Sequence, residues 1–322
     1  MEAPRSAQGA SGEDLLELVQ RIRRELSQRR EAPAGDWVEG VANDLRSGRR
    51  TGWIYPPATG GGLAFYSARE EEAFGHVHIE AGPEDEERAF RLAEALLAGL
   101  PASIRSIDVG WTGLPPEGER RVLERLASAR PGSTIIERTA MERAITAADS
   151  AEIGGPPAGL VLVPLTDVTV EALAELDRRA FAGTVDELLV GSRIEDHQRV
   201  MRSLLEGDLG RFLSEASTAL IVPDPPRLVG SIFSAEQSPR RAVFLSFMID
   251  PADRRRGYGR YLLRWGIRAL RALGYSSVHL WVTVANVGAR ALYAEHHFVP
   301  IARAAIYRWE RSATGEHPHS GR

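Results

Sequence analysis

The sequence predicts an α/β protein built as two tandem domains of one architecture. Apolar runs of strand length alternate with helical patterns along most of the 322 residues. The order strand, loop, helix, strand, helix, strand occurs twice with similar spacing, once ending near residue 138 and again from residue 242. Between the copies lies DSAEIGGPPAG, residues 149–159, with the Gly and Pro content of a linker. The expected division is a disordered tail over 1–12, a first domain over 13–148, that linker, a second domain over 160–311 and a disordered tail over 312–322.

The elements follow in order. Residues 14–26 read as an amphipathic helix with Leu15, Leu18, Val19, Ile22 and Leu26 on one face. That face packs on the first domain; a homodimer contact is its alternative use. Residues 51–80 alternate as strands around Thr59-Gly60-Gly61-Gly62 and end in Gly75-His76-Val77-His78-Ile79. After Ala81-Gly82-Pro83 come a helix over 85–98, a strand over 103–109, a helix over 117–129 and a strand over 134–138. In the second half, strands are expected over 160–165, 218–222, 228–235 and 302–310, with helices over 168–181 and 194–206.

The densest stretch runs from Ala242 to Phe298. A strand over 242–250 stops at Asp250-Pro251, followed by Arg254-Arg255-Arg256-Gly257-Tyr258-Gly259-Arg260 and then a helix. Leu262, Leu263, Ile267, Leu270 and Leu273 form its apolar stripe, Arg260, Arg264, Arg268 and Arg271 fall opposite, and Gly274 caps it. A helix N-terminus leaves backbone N–H groups unsatisfied behind a positive dipole end, glycines permit close approach, and arginines add charge. That combination suits a diphosphate. A second strand, 277–284, leads into Asn286-Val-Gly-Ala289-Arg-Ala-Leu292-Tyr293 and Phe298.

The series R-x-x-G-x-G, helix, strand, N-x-x-A-x-x-L-Y, F resembles the GNAT superfamily of acyl-CoA-dependent N-acyltransferases. The resemblance implies two GNAT-like domains, each a mixed, largely antiparallel twisted sheet flanked by helices, and acetyl-CoA as co-substrate. The amides of 255–260 would hold its pyrophosphate, with Arg254, Arg255, Arg256, Gly257, Tyr258, Gly259 and Arg260 forming the loop. Phe247, Met248 and Ile249 would pair with the pantetheine arm, Asn286 would bond near it, and Tyr293 would protonate the departing sulfur. A backbone N–H near Met248 would be the oxyanion donor. The family often has glycine before the phenylalanine; here it is His297. Many relatives carry a carboxylate on the central strand, but residues 242–249 contain none. The candidates for general base are Glu236, His279 and Glu215, or a water held by Ser246.

The first copy is expected to be degenerate. Where the second has its arginines, the first has Glu84-Asp85-Glu86-Glu87, whose carboxylates repel a pyrophosphate. His76 and His78 share a strand face, which reads as an ordinary half-exposed surface rather than a metal site, as do His296-His297 and His317-Pro-His319.

Composition narrows the class. The chain is 43% hydrophobic and 26% charged, as soluble globular proteins are. No apolar run approaches the ~20 residues that span a bilayer, and no export signal opens the chain, so a cytoplasmic protein without a membrane partner is expected. Cysteine is absent, which excludes disulfides and thiolate chemistry. All 40 basic residues are arginine, consistent with a GC-rich bacterial genome. The net charge of −4 argues against nucleic acid. Residues 1–150 hold 19 arginines against 25 acids and residues 151–322 hold 21 against 19, so the positive half is the one with the cradle. The expected activity is acetyl transfer from acetyl-CoA to a small-molecule or peptide amine. The alternatives are an acyltransferase of mycothiol-like thiol-metabolite synthesis and a non-catalytic acyl-CoA sensor.

Overall fold

The computed structural model describes residues 3–29, 37–56, 61–80 and 84–311. The tail 312–322, with His317 and His319, and residues 59–60 and 81–83 lie outside the described residues. The elements are β1 (Arg5–Ser6), α1 (Gly12–Arg29), α2 (Trp37–Ser47), β2 (Thr51–Tyr55), β3 (Gly62–Arg69), β4 (Glu72–Ile79), α3 (Asp85–Ala98), β5 (Ser106–Thr112), α4 (Pro116–Ala129) and β6 (Ser133–Ala144). There follow β7 (Val161–Pro164), α5 (Val170–Phe181), α6 (Glu187–Val190), α7 (Ile194–Glu206), β8 (Arg211–Phe212), β9 (Thr218–Pro223), β10 (Pro226–Ser238), β11 (Arg241–Ile249), α8 (Tyr258–Ala272), β12 (Ser277–Thr283), α9 (Val287–Glu295) and β13 (Val299–Glu310).

Two compact units form: Met1–Arg138 with Arg303–Arg322, and Thr139–Ala302. This division differs from the expected one, because pairing rather than glycine content sets it. The end of β13, expected to close the second sheet, pairs antiparallel with β5 in the first unit, Tyr307 against Val109 and Glu310 against Ser106. Arg308 Nη1 reaches Asp108 Oδ2 at 3.0 Å, and the Tyr307 hydroxyl meets Ser133 Oγ at 2.6 Å. Residues 139–159 belong instead to the second unit. There the Ile145 amide donates to the Ser276 carbonyl at 2.8 Å and Arg241 pairs with Glu142 at 3.4 Å.

In the first unit the strand order is β1-β2-β3-β4-β5-β13, with β4 and β5 parallel. Residues 5–7, expected in a disordered tail, are paired: Arg5 lies opposite Ile54, and the Ala7 amide donates to the Gly52 carbonyl at 2.8 Å. Leu15, Leu18, Val19 and Ile22 of α1 are buried with Leu45, Ile54, Leu63 and Phe65, so its apolar face is covered within this unit.

The second unit runs β12-β11-β10-β9-β7, with β8 paired to β10. β11 and β12 are parallel and the other pairs antiparallel. Helices cover both faces. On one, Leu262, Leu263, Ile267 and Leu270 of α8 are at most 2% exposed, each contributing roughly 2 kcal/mol by burial. Leu273, expected on that stripe, is the exposed C-cap instead, and Gly274 follows with φ +85 while the Tyr275 amide closes on the Leu270 carbonyl at 3.0 Å. On the other face, α5 and α7 pack together over β10 and β11 around Phe233 and Met248.

Candidate active site

The second unit opens where its central parallel pair separates. β11 and β12 are paired from Arg241–Ser277 to Phe244–Leu280 and no further. At the same point β11 carries a bulge: Phe233 of β10 faces Ser246 and Ser234 faces Phe244, so Leu245 is the extra residue. Residues 245–249 therefore have no strand partner on the β12 side. Their backbone groups are available to an extended ligand.

α8 begins beside this opening. Its N-cap, Gly257, has φ +83, a left-handed conformation that a side chain would strain. A Cβ on Gly259 would sit 3.5 Å from Leu292, 3.6 Å from Ile249 and 3.7 Å from Phe247, so this glycine lies among the residues of the opening. Tyr261 donates its amide to the Gly257 carbonyl at 3.0 Å. The amides before it have no acceptor within the helix.

The arginines of the loop are less available than their number suggests. Arg254 donates to the carbonyls of Ala180 at 2.6 Å and Ile249 at 3.3 Å, so it fastens the loop to α5. Arg256 pairs with Asp253 at 3.5 Å, and Arg260 with Glu295 of α9 at 2.5 Å. Arg255 alone of the four is exposed without such a partner among the described residues, and it too has a positive φ, +66. The ring of Tyr258 packs with Leu160, Val229 and Leu262, leaving its amide as the group that could meet an anion.

Tyr293 is 6% exposed, with its ring 6.2 Å from Phe247 and 5.8 Å from Phe298. Burial, and secondarily the nearby Asp186 carboxylate, push its hydroxyl well above the ordinary tyrosine range. Asp186 was not foreseen. It accepts a hydrogen bond from Thr283, the last residue of β12. No motif marks it, since it lies in the short segment ahead of α6 and only folding brings it to β12. Asn286 caps α9, its Oδ1 accepting from the Ala289 amide at 3.1 Å. Next to Phe298, His297 holds φ +62, the left-handed conformation for which glycine is the natural residue.

The three side chains proposed as base lie elsewhere. His279, 1% exposed, donates through Nδ1 to the Ala242 carbonyl at 3.1 Å, at the closed end of the strand pair. Glu236 lies opposite Ala242 and is held by Arg211 and by the Tyr275 hydroxyl at 3.2 Å. Glu215 is exposed and accepts from Ser214 at 3.0 Å. His279 and Glu236 are thus engaged by distant parts of the fold, while Glu215 bonds its neighbour in sequence. His76 and His78 both bond the Thr112 hydroxyl, at 2.8 and 2.9 Å. Among the described residues no group of side chains could hold a metal, and no helix is long and apolar enough to cross a membrane.

A model of the acetyltransferase (GNAT) family matches residues 173–298. A mycothiol acetyltransferase of Jonesia denitrificans is 28% identical over 100 residues, 31% of this chain and 32% of that protein, so the match spans about a third of that relative's length. The fold of the whole chain is similar to that of a GCN5-related N-acetyltransferase from Sphaerobacter thermophilus, with a TM-score of 0.60 and 15% identity over 95% of each chain. It is also similar to a tandem GNAT protein from the clavulanic acid biosynthesis pathway, with a TM-score of 0.54 and 15% identity over 97% of this chain and 98% of that one.

Proposed function

We propose, on the premise that residues 173–298 form a domain of the acetyltransferase (GNAT) family, that the protein transfers the acetyl group of acetyl-CoA to a primary amine by direct attack on the thioester. One observation carries this reading. In the second unit the separation of β11 from β12, the uncapped N-terminus of α8 and the buried Tyr293 coincide.

The residues present fit the co-substrate. The amides of 255–260 and the exposed Arg255 suit a diphosphate, and the backbone of 247–249 suits an amide-bearing arm. Acetyl-CoA would supply an activated acetyl group on a thiolate leaving group. The chain's own part is to orient the amine, to offer a backbone N–H near Met248 to the developing oxyanion, and to keep a proton at Tyr293. The raised pKa of that hydroxyl, caused first by burial and then by Asp186, keeps it protonated at neutral pH. The acceptor is a small-molecule or peptide amine. The mycothiol acetyltransferase likeness favours, as a second reading, an amine of a thiol metabolite.

The test is Tyr293→Phe, assayed by release of coenzyme A across a library of amines. Turnover should fall by about 10²-fold or more, with acetyl-CoA affinity nearly unchanged. Unchanged turnover on a real acceptor would return Tyr293 to the hydrophobic core. Loss of catalysis without loss of binding also separates an enzyme from an acyl-CoA sensor.

A further inference from the structure

Two polar side chains interrupt the apolar stripes of α5 and α7. Asp177 is 1% exposed and lies one turn from Leu173, Ala174 and Ala180; His197 is 0% exposed, between Ile194 and Met201. They meet, His197 Nδ1 standing 2.6 Å from Asp177 Oδ2. A carboxylate at Nδ1 makes that nitrogen the donor and leaves the lone pair on Nε2. That Nε2 is buried without a hydrogen-bond partner among the described residues.

The same layer holds two more atoms of this kind, Ser231 Oγ and Ser246 Oγ. Ser231 lies opposite Met248, and Ser246 opposite Phe233. Directly paired residues share a face of a sheet, and Phe233 and Met248 pack in the core formed with α5 and α7. Three unsatisfied polar atoms thus belong to one buried layer. A buried polar atom left unpaired is destabilising, so bridging water is the natural occupant. Ser246 adjoins the Leu245 bulge where the strands part. α5 is fastened to that end of β11, since Arg179 pairs with Asp250 at 2.9 Å and Arg254 holds the Ala180 carbonyl at 2.6 Å.

We propose that Ser246, bridging water, His197 and Asp177 form an internal path that takes the proton from the acceptor amine. This rests on the reading of the open strand pair as the site of transfer. The amine nitrogen bonds to the carbonyl carbon and gives up one proton, which passes by way of the Ser246 hydroxyl and water to His197 Nε2. The carbon–sulfur bond breaks, and the sulfur takes the Tyr293 proton. Return of the imidazolium proton through solvent to the tyrosinate resets both groups, so one proton leaves the amine and one reaches the thiol. His197 touches no substrate and acts through Ser246. The charges around it are settled: Asp196 of α7 is paired with Arg193 at 3.3 Å and Arg199 at 2.6 Å, Glu175 of α5 with Arg178 at 2.7 Å, and the facing residues of β10 and β11 are neutral.

Full-length protein labelled with ¹⁵N-histidine gives the first readout. The His197 signals, identified by their loss in His197→Gln, should show a proton on Nδ1 and none on Nε2, and Ser246→Ala should shift the Nε2 resonance. The second readout is acetyl-CoA consumption with the best amine of a library. His197→Gln should lower kcat about 100-fold, leave the KM for acetyl-CoA in place and remove the acid limb of the kcat–pH profile. Ser246→Ala should act in the same direction more weakly, and it serves if His197→Gln fails to fold. A protonated Nε2, an Nε2 resonance indifferent to Ser246→Ala, or an acid limb removed by Asp186→Asn rather than His197→Gln would overturn the path. If wild-type protein consumes no acetyl-CoA with any amine, the transferase reading fails, and the nuclear resonance alone decides whether the path exists.

Discussion

The chain contains the same parallel strand pair twice, once closed and once open. β4 and β5 stay paired along seven rungs, from Glu72–Ser106 to His78–Thr112, and β3 runs beside β4 without a shift of register. β11 and β12 keep four rungs, and β10 meets β11 through a bulge. Setting the first rungs against each other places Thr112 over Thr283, and each following helix starts four residues later, at Pro116 and Val287. On that alignment Val122 stands for Tyr293 and Pro115 for Asn286. Where the open pair leaves Thr283 to bond Asp186, the closed pair has His76 and His78 holding Thr112. The preceding helices differ likewise. α3 has Glu84 as a left-handed N-cap at φ +63, where α8 has Gly257 at φ +83. Its acids are used internally, Glu86 pairing with Arg121 at 2.5 Å and Glu87 with Arg125 at 2.6 Å. The same scaffold thus becomes an open strand pair or a sealed sheet, and the two differ in a bulge, a threonine's partners and the charge of one helical turn.

The comparison is broken most sharply by making the open unit resemble the closed one. Gly257→Glu with Gly259→Glu imports the counterparts of Glu84 and Glu86. Acetyl-CoA affinity should fall by roughly 100-fold or more, since two carboxylates would face the diphosphate, and the rise in melting temperature with acetyl-CoA should vanish. Calorimetry on the intact wild-type chain should give one site per chain; two would show that the closed unit also binds. A smaller effect concerns the closed pair itself. Burial depresses His78 to a pKa of about 4. Its stabilising contribution is complete above the unfolded value of about 6.5 and is lost as pH falls through 4. The loss amounts to ~3 kcal/mol, read as the difference in denaturant stability between pH 7 and pH 4, and His78→Gln should remove that part of the pH dependence. The smallest effect is at the cap. Asn286→Ala should cost about 1 kcal/mol, seen as a lower melting temperature, because the Asn286 side chain caps the start of α9, whereas Pro115 at the start of α4 makes no side-chain cap.

Much of this was legible from local pattern. The apolar periods of 85–98 and 194–206 predict helices that fold with those bounds as α3 and α7, and the Gly257 region opens α8 as a glycine loop should. Other readings depended on distant partners. Four arginines in a loop suggest four free charges, yet Arg254, Arg256 and Arg260 are engaged by Ala180, Asp253 and Glu295. His279 and Glu236 have plausible chemistry for a base, but backbone and side-chain partners claim them at the closed end. Asp177 and His197 carried a faint signal, a charged and a titratable residue each set inside an apolar helical stripe. Their contact, twenty positions apart, was not visible.

By itself the sequence determined the alternation of strands and helices, their repetition, and which helix begins at a basic glycine loop. Those properties arise within a few residues, from periodicity, backbone preference and charge. Tertiary structure alone decided where β11 leaves β12, that β13 ends against β5, and that Asp186 meets Thr283. Strand partners and ion pairs are selected by competition among distant segments for the same hydrogen bonds and the same buried space.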